Sequence, residues 1–476
     1  MRSTKVYQVL SVLDKVEHNR LRKYLSSSYF NPNATLVVLF DILGADIFRK
    51  SGSTGVLSKE EVWDCLGLER SYDDVYFRRL CADLLKLTEG YLAQQLYEQD
   101  EAWRSVRLIE AVSQRKLEPL YSSAVRSARA VVKKERPGGP FYHLRRYELE
   151  RILYDLQNII SYNRLERSNI EEMMEDLDQF YLAEKLKYYC IILGQRSFST
   201  HDYELSLIED ILSHIASSQD KVVPAVRIYY QISLTQRHPD ELSHYHELRA
   251  LITAHIEAFP QQERYFIFNF ALNYAIRRIN RGHEDFLGEY YGVYREALEL
   301  GVLFSDGQLS PWHFRNIVGV ALRLGHYEWA DDFIGSYSEF LPPEKRDNAV
   351  TFNRATLYFY QKKFRRVIEL LREVEYEELT YNLNSKNMLL LTYYELDEID
   401  PLYSLMESFR VWLNRHKDIA TPRRQSYQAL ISFTRKLTRI APGDTRAIEK
   451  LRNEIGAHQT DIASEKWLKE KLEELS

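Results

Sequence analysis

Apolar residues recur at helical spacing along most of the chain, whereas no alternating run is long enough to predict a sheet. Val6, Leu10 and Leu21, for example, mark one apolar face between residues 5 and 25, and such spacing predicts a helix. The same pattern predicts helices that end near Arg49, begin at Ser58 and Asp73, and span 103–134, 141–163, 168–195, 201–218, 222–236, 240–258, 261–281, 284–301 and parts of 422–475. The expected fold class is therefore all-α.

Breaks in the apolar pattern divide the chain into four expected parts. Residues 136–140 (Arg-Pro-Gly-Gly-Pro) are the strongest break, because two prolines and two glycines so close together cannot continue a helix. We expect an N-terminal helical module over 1–136 and a linker at 137–140. An irregular helical-hairpin region over 141–301 and a repeat region with C-terminal capping helices over 302–476 are expected to follow.

The repeat region has the periodicity of tetratricopeptide repeats (TPRs). Residues 311–342 match this helical-hairpin pattern, with Ala330 as the small residue of the second helix and Pro342 as the terminal proline. Val367 and Leu402 take the place of Ala330 after 37 and 35 residues, close to the TPR period of about 34. Because one hairpin cannot bury both of its apolar faces, such units are expected to stack into a solenoid with an inner groove lined by first helices.

Several stretches resemble an uncharacterised bacterial family of TPR-like proteins. The stretches that carry the resemblance are 29–33, 77–92, 178–190, 273–280, 316–334 and 381–396. The resemblance implies an α-solenoid over most of the chain. Its motifs are structural, so it implies no particular activity.

Composition favours short connections and a reducing compartment. The chain has 476 residues but only 18 glycines and 13 prolines, fewer than sandwiches or propellers need for their turns. Cys65, Cys81 and Cys190 show no CxxC spacing and are expected in the core. No stretch approaches the run of about 18 apolar residues that a membrane span needs. We expect a cytoplasmic protein with no membrane partner.

Motifs that would indicate an enzyme or a cofactor are not found. The sequence contains no HExxH, GxxxxGK[ST], GxGxxG or GxSxG. His238, His244 and His246 lie close together, but residues two apart on a helix do not face each other, so surface histidines are expected. The prediction is a non-enzymatic protein without a cofactor or a metal.

The inner groove is the expected working surface. The repeat phase places Arg315, Arg323, Tyr360, Asn387 and Tyr394 on its inner face, and Arg and Tyr often anchor interfaces. The two tyrosines fit packing between hairpins equally well. The leading hypothesis is a scaffold or adaptor whose groove binds a protein or peptide partner.

A DNA-binding regulator is the alternative prediction. Residues 1–136 hold 22 basic against 18 acidic residues, whereas 137–476 hold 42 against 51. Residues 58–87 have the spacing of a helix-turn-helix, and its second helix carries Arg78 and Arg79. Three aspartates on the same helix would repel phosphate, and a basic surplus of this size also fits an ordinary solvated helix face.

Overall fold

The chain is mostly helical and forms two compact units. The structure is a computed structural model that describes residues 1–49, 58–160, 169–195, 203–218, 221–372 and 379–476. Helices dominate these residues, and the strands found among them are two residues long, so the predicted all-α class is confirmed. Unit 1 comprises Met1–Lys187 and Leu207–Val226, and unit 2 comprises Tyr188–Ser206 and Arg227–Ser476.

The α-helices of the described ranges are numbered in chain order. They are α1 (Lys5–Val12), α2 (Lys15–Leu25), α3 (Ala34–Ile47), α4 (Lys59–Cys65), α5 (Asp74–Gln99), α6 (Glu101–Gln114), α7 (Glu118–Lys134), α8 (Pro140–Ile160), α9 (Ile170–Gln195), α10 (Ile208–Ser217), α11 (Pro224–Arg237), α12 (Leu242–His255), α13 (Gln261–Asn280), α14 (Phe286–Glu299), α15 (Pro311–Arg323), α16 (Tyr327–Tyr337), α17 (Pro343–Tyr360), α18 (Phe364–Arg372), α19 (Leu379–Glu395), α20 (Ile399–Arg415), α21 (Thr421–Leu437), α22 (Thr445–Gly456) and α23 (Glu465–Glu474). Short 3₁₀ turns at Ile256–Ala258 and Ser338–Phe340 follow α12 and α16.

Side-chain caps set helix starts in unit 1. The Ser58 hydroxyl accepts a hydrogen bond from the Glu61 backbone N–H at 3.1 Å, and the Glu61 carboxylate accepts one from the Ser58 N–H at 2.7 Å. This pair is a capping box at the predicted helix start. The single helix predicted over 5–25 is wrong, because Asp14 forms a second capping box with Glu17 and starts α2 there. The break contains neither proline nor glycine, so periodicity alone did not predict it.

The single helix predicted over 103–134 is also wrong. It is divided into α6 and α7 at Lys116, whose φ of +55° is left-handed and cannot continue a right-handed helix. Val106, Ala128 and Leu153, from α6, α7 and α8, belong to one buried cluster. The break predicted at 137–140 therefore separates α7 from α8 inside unit 1, where both helices contribute to the same core.

Unit 2 contains consecutive helical hairpins. α15 packs on α16, α17 on α18, and α19 on α20, while α17 also packs against both α15 and α19. Each hairpin turns through one left-handed residue, Gly325, Lys362 or Asp397, with φ of 79°, 58° and 57°. These turn residues are 37 and 35 residues apart, so consecutive hairpins repeat the spacing found in the sequence.

A short β-hairpin precedes α15 and corrects the expectation that the chain has no sheet. β1 (Phe304–Ser305) pairs antiparallel with β2 (Gln308–Leu309). Asp306 and Gly307 connect the strands with φ of +50° and +75°, the backbone that a tight two-residue hairpin turn requires. Two-residue strands are too short to show alternation in the sequence.

Among the described residues, no helix combines the length and the apolar character that crossing a membrane requires.

Candidate functional site

A cleft of about 420 Å³ lies within unit 2, across the first helices of the three hairpins. Its lining residues come mainly from α15, α17 and α19, with Ile276, Leu287 and Tyr290 contributed by α13 and α14 and Ser464 by the segment before α23. Helix faces that pack side by side therefore supply most of the surface, and the repeated hairpin determines which residues face it.

The lining residues follow a simple rule when counted back from each left-handed turn residue. Positions ten, nine and six residues before the turn face the cleft on all three helices, and the position two residues before it does so on α15 and α17. In that order the residues are Arg315, Asn316, Gly319 and Arg323 on α15, Phe352, Asn353, Thr356 and Tyr360 on α17, and Asn387, Met388 and Leu391 on α19. On α15 and α17 the first and last of these positions are eight residues apart, and we call them the two walls of the cleft.

Four of the five predicted groove residues lie together. Arg315, Arg323, Tyr360 and Asn387 line the cleft. Tyr394 does not, because it lies three residues before the turn on α19 and its ring packs edge-on against that of Trp467, with centroids 5.1 Å apart. Tyr394 therefore packs between helices, which was the alternative expectation for the two tyrosines, whereas Tyr360 faces the cleft.

Asparagines that the sequence analysis did not single out also line the cleft. Asn316 donates to the Tyr294 hydroxyl at 3.4 Å, Asn353 donates to the Ala349 carbonyl at 2.7 Å, and the Asn384 carbonyl accepts from Tyr427 at 3.3 Å. Among the described residues, Oδ1 of Asn316 and Asn353 and Nδ2 of Asn384 have no partner. Each helix therefore carries one amide atom that no described residue pairs. Asn316 and Asn384 are partly exposed and can pair with a bound main chain, whereas Asn353 is only 1% exposed.

Arg315 and Arg323 are the two arginines of the cleft. No carboxylate of the described residues forms an ion pair with Arg315 or Arg323. By contrast, Arg249 in the same unit binds Glu289 at 2.8 Å and Glu296 at 2.7 Å. Arg315 is half-buried, with its guanidinium 5.9 Å from the centre of the Tyr381 ring. Among the described residues, the cleft therefore holds two positive charges that no carboxylate neutralises.

The C-terminal segment closes one end of the cleft. Asn387 Nδ2 donates to the Ser464 hydroxyl at 3.1 Å, and that hydroxyl donates back to Asn387 Oδ1 at 3.3 Å. Lys466, two residues further on, lies 3.3 Å from Glu284 at the start of α14. Contacts between residues distant in the sequence thus form this end, which is why the repeat pattern did not predict Ser464.

A buried polar cluster lies behind the cleft. His313 is 1% exposed, and its ring nitrogens face the hydroxyls of Tyr265 at 3.3 Å and Tyr294 at 3.4 Å. Burial lowers the pKa of His313 to about 4 and raises the pKa of Tyr294 above its ordinary range. Because Tyr294 also accepts from Asn316, the cluster orients one of the cleft asparagines.

We expect Tyr294→Phe to lower the free energy of unfolding of unit 2 by about 1 to 2 kcal/mol, since His313 and Asn316 would lose a buried partner. Urea denaturation followed by hydrogen exchange in α14 and α15 measures this loss. Tyr188→Phe is the control, because Tyr188 is 57% exposed. Equal losses in the two variants would contradict a role for the buried hydroxyl.

The cysteines and histidines do not form a site in the parts that the structure describes. Cys190 is buried and Cys81 partly so, but Cys65 is exposed, which corrects its expected place in the core. Burial raises the pKa of Cys81 to about 11, so its thiol is a poor nucleophile at neutral pH. Glu241 approaches His244 at 3.1 Å and His238 at 3.9 Å. No group of three metal-binding side chains occurs among the described residues.

Several arginines of unit 1 are paired with carboxylates. A second cleft, of about 510 Å³, contains Arg145, which lies 2.5 Å from Asp100 and also binds Glu135. On α5, Arg78 is paired with Asp74, and Arg79 lies 4.0 Å from Asp83. Because Arg78 and Arg79 both lie beside aspartates, these two contacts do not favour DNA binding by α5, and the DNA-binding alternative stays a prediction.

Comparison of the chain with protein-family models, curated proteins and solved structures finds no match.

Proposed function

We propose that unit 2 is a TPR-like α-solenoid, akin to the bacterial family that the sequence resembles, and that its cleft binds an extended peptide segment of a partner protein. In this proposal the protein is a non-enzymatic scaffold or adaptor. The observation that carries it is the row of asparagines that line the cleft on three neighbouring helices, each with one amide atom that has no partner among the described residues. A carboxamide can both donate to and accept from a peptide group, so such a row suits a main chain whatever its sequence.

The spacing of the helices supports an extended ligand. Packed helices lie about 8 to 10 Å apart, and an extended chain advances about 3.3 Å per residue. A chain that crosses α15, α17 and α19 would therefore pass one helix about every three residues. Tyr360, which is 37% exposed, supplies apolar surface in the cleft, and its burial by a ligand would add to the binding free energy.

Filling the cleft at Gly319 is expected to abolish peptide binding. A Cβ at Gly319 would meet no atom within 4 Å, so Gly319→Trp would place its ring in the cleft without disturbing the helix. Peptides selected from a random library on the wild-type protein are labelled, and their binding to the variant is measured by fluorescence polarisation.

Gly335→Trp is the matched control. Gly335 lies exposed on α16, outside the cleft lining, and a Cβ there also has open space. This variant should bind the selected peptides like the wild type. If the library yields no binding peptide, or if Gly319→Trp binds the peptides unchanged, the proposed function is wrong.

A further inference from the structure

We propose, building on the proposed peptide-binding function, that the cleft selects acidic peptides whose neighbouring acidic side chains bind Arg315 and Arg323 on opposite walls. The charge of the lining is the first observation. Arg315 and Arg323 are the charged residues among the described residues that line the cleft, and no carboxylate lies beside them there. A ligand with negative charges would supply the missing partners.

The cost of burying a charge supports this choice of ligand. Arg315 is half-buried and Arg323 is exposed, and a cation removed from water without a partner is unfavourable. A ligand that covers the cleft would remove both guanidinium groups further from water. An apolar or basic ligand would leave them unpaired, whereas carboxylates would form charge-assisted hydrogen bonds to them.

The positions of the two arginines fit an extended chain that passes over Gly319. Arg315 and Arg323 lie four residues before and after Gly319, and eight residues of helix span about 12 Å. Gly319 has no side chain, so a ligand backbone can approach α15 closely between the two arginines. Because successive side chains of an extended chain point to opposite sides, consecutive acidic residues would reach opposite walls.

A peptide fits this cleft better than a nucleic acid does. Nucleic-acid binding draws on many basic groups along the phosphate backbone. Here the positive charge is confined to two side chains, while residues 137–476 carry 51 acidic against 42 basic residues. The asparagine amide atoms that have no partner among the described residues also suit the donors and acceptors of a peptide main chain.

Three labelled nonapeptide pools test the preference on the full-length protein. Their two central residues are both Glu, both Gln or both Lys, and uncharged residues fill the other positions. We expect the Glu pool to bind about tenfold more tightly than the Gln pool or better. Arg315→Gln and Arg323→Gln should each reduce that ratio severalfold, and the double substitution to Glu should make the Lys pool the tightest binder.

Arg354→Gln is the control, because Arg354 is an exposed arginine of α17 outside the cleft lining. It should leave the order of the pools unchanged. If the Glu and Gln pools bind equally and Gly319→Trp abolishes both, the acidic preference is wrong while the peptide-binding function stands. If no pool binds, both proposals fail. A labelled oligothymidine that binds more tightly than the Glu pool, with the same dependence on Arg315 and Arg323, would replace the acidic peptide with a nucleic acid.

Discussion

Replacing Trp467 with alanine is expected to lower the free energy of unfolding of unit 2 by about 3 to 5 kcal/mol, the usual cost of removing a buried tryptophan. Trp467 is 9% exposed and packs with Leu468 and Leu472 in the C-terminal core. Its indole N–H also donates to the Glu395 carboxylate at 2.7 Å. The substitution would remove this contact and leave a cavity under α23.

The same substitution should weaken peptide binding, because α23 follows directly on the end of the cleft. Ser464 contacts Asn387 from the residue before α23, and loss of the α23 contacts would free this end. Urea denaturation, read by hydrogen exchange in α19 and α23, gives the stability, and fluorescence polarisation with selected peptides gives the affinity.

Two further variants separate the loss of the Trp467 ring from the loss of its hydrogen bond and from the loss of an exposed tryptophan. Trp467→Phe keeps a ring against Tyr394 and loses only the N–H and part of the volume, so we expect about half the loss or less. Trp312→Ala removes a tryptophan that is 50% exposed and should cost under about 2 kcal/mol. Equal losses in Trp467→Ala and Trp312→Ala would show that docking of α23 contributes little.

Helical periodicity predicts the fold class and many helix positions because each helix has an apolar face of its own. It does not predict breaks that depend on one polar side chain or one backbone angle. Asp14 starts α2 through its carboxylate, and Lys116 ends α6 through a left-handed φ. Neither residue interrupts the apolar pattern, so the pattern predicts one long helix over 5–25 and one over 103–134.

Much of the cleft is also predictable, because the hairpin turn sets the rotation of each first helix. Asn316 and Asn353 both lie nine residues before a turn residue, Gly325 and Lys362. Counting back from these turns would have found both asparagines. The repeat phase also predicts Tyr394 as a groove residue. Tyr394 does not line the cleft, because its ring packs against that of Trp467 near the C-terminus.

The end of the cleft and the state of its charges depend on contacts that repeat spacing does not encode. Ser464 reaches Asn387 across 77 residues of sequence. Whether an arginine is paired likewise depends on the neighbouring helices: Arg145 in unit 1 binds two carboxylates, whereas Arg315 binds none among the described residues. In the sequence alone these arginines look alike, and only the three-dimensional contacts separate a paired cation from one that has no carboxylate partner among the described residues.

Acidification from pH 7 to pH 4 is expected to destabilise unit 2 through His313 alone by about 3 kcal/mol. Burial lowers the pKa of His313 to about 4 from an ordinary value of 6.5. Between these values the unfolded chain binds a proton that the folded chain does not. The contribution of neutral His313 to the free energy of unfolding is therefore fully present above pH 6.5 and is lost as the pH falls towards 4.

The hydroxyls of Tyr265 and Tyr294 contact the imidazole, and hydroxyls compensate a buried positive charge less than a carboxylate would. His313→Gln removes the titration, so its stability should fall less steeply between pH 6.5 and 4, while other titrating groups contribute equally to both proteins. Hydrogen exchange in α14 and α15, corrected for the intrinsic effect of pH, gives the two curves. If the two stability curves run parallel, the buried histidine is not the acid-sensitive group. An NMR signal of protonated His313 in the folded protein at pH 5.5 would also contradict the prediction. If they diverge as expected, acid would loosen the cluster that orients Asn316 in the cleft.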